Sequence, residues 1–442
     1  MFITMSLSRN QIIIIGLAGL LVLFFILLFL GVIPGLKKSG TDGFGLPSGN
    51  QYQLNLWGIT EAANSDAIKS VIDEYSKISK DVGINYRLFL DTAAYEKTLL
   101  NALATGQAPD IFMFHSSWLS KHYDKVTPFP ETLFSLNQLQ QLFPTVVEQD
   151  FILNKKVYAL PLYIDTLALL YNKDAFDTRA VTSPPKKWSE FQGLIPQLRQ
   201  LNVLNQIAKP AAGIGGSEKS VDSASDLLNL LMKQFGSQMI DQEGKVNFGS
   251  QGLSALNFYL QFANPSSPYY TWNDNLLNSL DSFSQGQTTI IFDYASKIPS
   301  IKEKNPYLNI GVSSMLQFFD ATQSQPINYA DYWGLAVSNQ TQNSTLAWNF
   351  ILLATTDSQT SEIFLQSAKK PPALRSLIEK YKNDPELGVF ARQALTSRSW
   401  PQPDSAVVKK SFSDMIESVL NGRLGSQQAL EQAENEINSL NQ

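Results

Sequence analysis

The sequence contains no cysteine, only two histidines (His115 and His122), and few charges. Asp, Glu, Lys and Arg make up 17% of its 442 residues, against ~25% in an average soluble domain. Without cysteine there is no disulfide, no thiolate zinc site, no iron–sulfur cluster and no cysteine nucleophile. A lipid-modified amino-terminal cysteine is excluded as well. The two histidines lie seven positions apart rather than at the i, i+4 step of a helical zinc site. A block of basic residues is also missing, and the formal net charge is −5, which argues against nucleic acid as a partner. No G-x-S-x-G elbow occurs. No cofactor, metal or catalytic residue is expected, and the chain is not read as an enzyme.

Long hydrophobic runs are present in one place. Residues 12–33 form an apolar run interrupted only by glycines, and no charge occurs between positions 10 and 36. At 1.5 Å per residue the run spans about 33 Å, matching the ~30 Å hydrocarbon core of a bilayer. A cleaved signal peptide is the competing reading. Its apolar stretch is ~7–15 residues and ends in an A-x-A-like site, whereas here the run is longer and Gly31-Val32-Ile33-Pro34-Gly35 offers no such site. The expectation is a short tail (1–11), a single transmembrane anchor (12–33) and a Gly/Ser-rich flexible linker (34–51). Arg9 and the amino terminus on one side balance Lys37 and Lys38 on the other, so charge does not set the orientation.

The remainder, 52–442, has ordinary globular composition with alternating strand and helix signals. YQLNLW at 52–57 alternates at period two and meets Gly58, as a strand does before a turn. Ala63, Ala67, Ile68, Val71, Ile72, Tyr75 and Ile78 recur at three- and four-residue steps, the stripe of an amphipathic helix. INYRLFL at 84–90 alternates again, residues 95–104 read as a helix ending near Gly106, and residues 111–114 form a short apolar strand. A β-α-β-α-β order implies a parallel sheet covered by helices. Ligands on such sheets bind beyond the carboxyl ends of the strands, here near Trp57 and residues 115–118.

Several local strings carry a resemblance. They are ATGQAPDI at 104–111, KVYALP at 156–161, LLYNKDAF at 169–176, PPKKWSEF at 184–191, SFSQGQTTII at 282–291 and YWGLAV at 332–337. In this order and spacing, together with a final amphipathic helix, the chain resembles the extracellular solute-binding proteins of ABC importers, in the maltose-binding-protein-like family. The resemblance covers nearly all of the part after the linker. It implies an α/β, two-lobe periplasmic-binding-protein type II fold with a hinge. Lobe 1 would be 52–162 and 309–356, lobe 2 would be 163–308 and 357–442, and the hinge would lie near 160–163 and 308–312. One departure is that this chain has neither a clear cleavage site nor a lipidated cysteine, so the 12–33 helix would serve as its anchor.

Sugar-like ligands need flat aromatic faces with convergent carboxylates and amides. From the first lobe the candidates are Trp57, Glu61, His115, Ser116, Ser117 and Trp118. Asp165 lies just past the crossover, where the family places a polar ligand contact. The second lobe offers Ser217, Glu218 and Lys219 in the loop 213–220, then Asp293 and Tyr294. Trp333 and Trp400 complete the set. Core packing competes with ligand stacking for Trp57 and Trp333, a hydrogen-bonded structural role competes for His115, and Trp188 reads as a packing residue at a helix start.

GIGGSEKS at 213–220 superficially resembles a phosphate loop, but Glu218 stands where G-x-x-x-x-G-K-[ST] needs glycine, and its carboxylate would repel phosphate. The implied function is a membrane-anchored extracytoplasmic protein that captures a small polar solute, most simply a carbohydrate, and delivers it to ABC permease subunits. A ligand-sensing receptor ectodomain is the alternative. A glycoside hydrolase using Asp165 and Asp293 as its carboxylate pair is the other.

Overall fold

The computed structural model describes residues 51–133, 135–319 and 324–441. The expected tail, membrane span and all but the last residue of the linker lie outside them. Among the described residues no helix is long and apolar enough to cross a membrane.

Two main hydrophobic cores organise residues 51–441, and a smaller third cluster covers the other face of the second sheet. In strand Tyr52–Ile59, Leu54 and Leu56 are fully buried while Gln53 and Asn55 face solvent. That is the period-two pattern of a sheet with one face covered, and each such leucine stabilises the fold by roughly 2 kcal/mol. The strand pairs in parallel with Val82–Phe89 along its whole length and with Ile111–His115. Two antiparallel strands, Trp333–Val337 and then Ala159–Pro161, extend the sheet to five. The helix Ser65–Ile78 starts where the Asn64 side chain accepts from the Ala67 N–H at 2.8 Å. It buries Ala67, Ile68, Val71 and Tyr75. Its apolar stripe stops there, since Ile78 at the last turn is 68% exposed.

The second core lies on a four-stranded sheet. Ala168–Asn172 is flanked antiparallel by Ile290–Asp293 and Ile310–Ser313, with Ala212–Gly213 at one edge. Trp188 is one of its largest anchors. The indole packs against Phe191, Phe258 and Phe292 with centroids 5.4–5.9 Å away, and its N–H donates to Gln234 Oε1 at 2.8 Å. A buried indole with a satisfied N–H is a stable core element, which answers to the packing role expected for it.

The chain passes between the cores at three places, and a small sheet ties them together. Asp165–Thr166 pairs antiparallel with Asn328–Asp331, which pairs in parallel with Ser397–Arg398. The lobe boundaries therefore differ from expectation in two segments. Ile310–Ser313 is hydrogen-bonded to Ala168–Asn172 in the second sheet, so the return crossing comes at Asn328–Asp331 rather than at 308–312. Helices Ser358–Ala368 and Arg375–Tyr381 bury Phe364, Leu365, Leu377 and Ile378 in the first core, not the second. The final helices Ser405–Leu420 and Ser426–Asn438 do pack into the second.

Candidate functional site

A cavity of about 370 Å³ opens between the two cores. Its first wall follows from sheet register. Trp333 lies opposite His115 at the carboxyl end of Ile111–His115, which brings both rings to one edge with centroids 4.8 Å apart. Trp118, one turn beyond, meets Trp333 edge-on at 5.2 Å and stacks on Tyr95 at 6.1 Å. These rings form one continuous aromatic wall. Trp400 lines the other side, held by its indole N–H to Asn229 Oδ1 at 2.8 Å. Trp118, Trp333 and Trp400 are each at most 4% exposed. Most of each ring is core, and only a small part of each reaches the cavity. The Trp333 indole N–H has no hydrogen-bond partner.

Polar groups converge from both lobes. His115 Nε2 lies 2.8 Å from Asp331 Oδ1, and its Nδ1 lies 2.7 Å from Ser117 Oγ. Burial alone would lower the histidine pKa, but the Asp331 carboxylate outweighs it and the pKa is raised. Asp331 answers in kind: burial opposes ionisation, yet His115 holds its pKa below the usual range. Asp150 accepts from the Tyr332 hydroxyl at 2.8 Å and from the Ser399 hydroxyl. Asp226, in the first turn of helix Ala224–Gln234, accepts from the Tyr294 hydroxyl at 2.8 Å. Burial pushes the pKa of Asp150 and of Asp226 up to about 7. Glu96 behaves oppositely: the His122 hydrogen bond, opposed by burial and helped by Lys121, brings it to about 2.

Seven of the fourteen sequence candidates line this cavity: Glu61, His115, Ser116, Ser117, Trp118, Trp333 and Trp400. The other seven do not line it, for identifiable reasons. Trp57 is engaged outside it, 5.3 Å from Phe89 and under the Arg87 guanidinium at 4.8 Å. Asp165 accepts from the backbone N–H groups of Ala295 and Ser296 at 3.0 and 2.9 Å, which ties the crossover to the second lobe. Asp293 is used by Ser223 Oγ at 3.1 Å and the Tyr294 N–H at 2.9 Å. Asp165 and Asp293 thus form no carboxylate pair across the cavity, and the hydrolase reading loses its residues. Ser217 is fully buried on Asp274, and Lys219 pairs with Glu417. Glu218 and Tyr294 stand behind the wall. Glu218 holds Lys409 at 3.1 Å, and Tyr294 holds Asp226.

Sequence reasoning missed Asp150, Asp226, Asp331, Asn229 and Lys409, all of which line the cavity. Asp331 had a signal, since it directly precedes the YWGLAV string. Asp226 and Asn229 sit on an ordinary amphipathic helix and Asp150 on a short one between exposed Gln149 and buried Phe151, where nothing local marks them. Among the described residues no cluster of His, Cys, Asp and Glu suits a metal ion.

The arrangement can grip a solute, with rings and hydrogen-bonding groups from both lobes around one void. Known proteins agree with that reading. The maltotriose-binding protein of Pyrococcus abyssi is 21% identical over 340 residues, 76% of this chain and 70% of that protein. The sugar-binding protein MalE from Xanthomonas citri superposes with a TM-score of 0.71 at 18% identity, covering 88% of this chain and 97% of that one. UgpB from Mycobacterium tuberculosis, solved with glycerophosphocholine, gives a TM-score of 0.71 at 17% identity, covering 88% and 98%. These likenesses establish a two-lobe binding-protein fold. The pattern that defines the bacterial extracellular solute-binding proteins matches residues 70–389, more than half of the sequence and spanning both lobes. This chain belongs to that family, whose members bind solutes and are not enzymes.

Proposed function

We propose that the protein captures a carbohydrate in the inter-lobe cavity and presents it to the permease of an ABC importer, held at the outer face of the membrane by the apolar segment 12–33. The observation that carries this reading is the cavity itself, where an aromatic wall from the first lobe faces Trp400 and polar groups of the second. Edges and faces of rings suit the C–H surfaces of sugars, and carboxylates and amides suit their hydroxyls. The sugar-bound relatives support the ligand class, among them a binding protein from Thermotoga lettingae solved with α-D-tagatose. Capture needs no covalent step, because a ligand favours closure by touching both lobes at once, contacts that the open state lacks.

The test is a thermal-shift screen of the full chain in detergent against monosaccharides, short oligosaccharides, amino acids and peptides. A bound ligand at a hundredfold excess over its Kd stabilises the native state by about 2.7 kcal/mol. Stabilisation by sugars is expected. Stabilisation by peptides or amino acids alone would overturn the ligand class. Co-purification of the intact protein with permease subunits is the expected outcome for delivery, and co-purification with a sensor kinase instead would overturn it.

A further inference from the structure

We propose that the cavity selects a positively charged sugar, an amine-bearing hexose or its short oligomer; this rests on the reading that the inter-lobe cavity is the solute site. Five carboxylates line it: Glu61, Glu96, Asp150, Asp226 and Asp331. The lining cations among the described residues are His115 and Lys409; each is paired at close range with another carboxylate, and acts on Asp150 and Asp226 only at longer range. His115 is committed to Asp331 at 2.8 Å, and the Lys409 ammonium lies 3.1 Å from Glu218. Glu96 is satisfied by Lys121 at 2.8 Å and His122 at 3.1 Å. Glu61 accepts from Thr92 Oγ1 at 2.6 Å, and its backbone carbonyl holds the Lys370 ammonium nearby at 2.9 Å.

Asp150 and Asp226 remain. Each is held by neutral hydroxyls, and neither takes part in an ion pair among the described residues. Asp150 comes from helix Thr145–Phe151 of the first lobe and Asp226 from helix Ala224–Gln234 of the second. A neutral ligand that seals the cavity favours the protonated form of both groups, whereas an ammonium favours their ionised form and pairs with it. An ammonium between the lobes compensates them and gains a partner from each side. This contact exists in full only when the lobes are closed, so the charge contributes to closure as well as to selection.

The aromatic wall and the polar groups beside it suit a sugar body that carries this charge. Carboxylates in want of a cation beside an aromatic wall describe a sugar with a free amine. The same sugar with that amine acetylated lacks the charge.

Calorimetry on the full chain in detergent at neutral pH tests this with D-glucosamine, D-galactosamine and the β-1,4-linked glucosamine dimer. Each is measured beside its neutral and its N-acetylated counterpart. The amine form of at least one is expected to bind about tenfold or more tighter than both counterparts. That preference should shrink as salt is raised. Asp226→Asn should narrow the ratio of amine to neutral affinity, and so should Asp150→Asn. If one of these variants does not fold, the other and the salt series carry the test. Neutral or N-acetylated sugars binding as tightly as the amines would overturn the inference while leaving carbohydrate capture intact. Binding of no sugar of any kind would remove the inference together with the reading it rests on.

Discussion

Asp150 and Asp226 are the cavity residues at which charge and burial meet most directly. For each, burial raises the folded-state pKa to about 7 from an ordinary 3.8. Between about pH 4 and pH 7 the unfolded chain releases a proton that the folded protein keeps, so stability falls as pH rises across that window. Below it both states are protonated, and above it the cost is constant. Asp150→Asn removes one such group, so its melting temperature should fall less than the native protein's between those limits in a calorimetric pH series. Parallel pH curves for the two proteins would contradict the assignment. Ligand contact is expected to concentrate on the tryptophans. Trp118→Ala and Trp400→Ala should each weaken binding about thirtyfold or more, as loss of a hot-spot aromatic does, and unchanged affinity in both would remove them from the site. At this scale the sequence was informative where a side chain follows a strand end, as His115 to Trp118 do. It was silent about Asp150, because a buried carboxylate between Gln149 and Phe151 looks like any polar position of a short helix until its partner Tyr332 arrives from 182 residues away.

Elements reveal why the glycine-rich loop misled. The segment 213–220 is not a ligand cradle but a clasp closed on Asp274. That carboxylate accepts from the Ser217 N–H at 2.8 Å, Ser217 Oγ at 2.7 Å and Ser220 Oγ at 2.7 Å. Gly215 holds a φ of +96°, where a side chain is strained. A Cβ on Gly216 would lie 2.6 Å from Asp274 Oδ1 and still closer to Ser220 Oγ. The glycines are thus required by close approach within the protein rather than by a phosphate. Gly216→Ala should cost roughly 1–3 kcal/mol in a denaturant titration through displacement of the clasp. A variant as stable as the native protein would show that the loop relaxes freely. Ser217 reads as a ligand contact in the sequence because its partner, Asp274, lies 57 residues downstream, beyond any local pattern. The period-two strand 52–57 and the helix after it were legible because their partner is water on one side and core on the other.

At the scale of the whole molecule the same distinction explains the lobe boundaries. Alternation and helical period identify strands and helices, but Ile310–Ser313 joins the second lobe by hydrogen bonds to Ala168–Asn172, and nothing in IGVS states which sheet it will complete. The three crossing strands leave the lobes joined by a narrow sheet, so contacts across the cavity decide how closed the molecule stays. One such contact is ionic. Lys121 of the first lobe lies 2.8 Å from Glu96 Oε1 and 2.7 Å from Asp404 Oδ2, and Asp404 caps helix Ser405–Leu420 of the second lobe. The lysine side chain is 33% exposed, so water screens the bridge and its contribution is at most about 1 kcal/mol. That is enough to matter for a hinge, since 1 kcal/mol changes the ratio of closed to open states roughly fivefold. Lys121→Met keeps the length of the side chain and leaves the Asp404 cap in place. It should make the ligand-free protein more expanded in small-angle scattering and weaken ligand binding up to about fivefold, chiefly through faster release. Raising the salt should move the native protein toward the variant. If the variant matches the native protein in both scattering and release rate, closure is governed by the crossing strands and the ligand, and the bridge is only a surface pair.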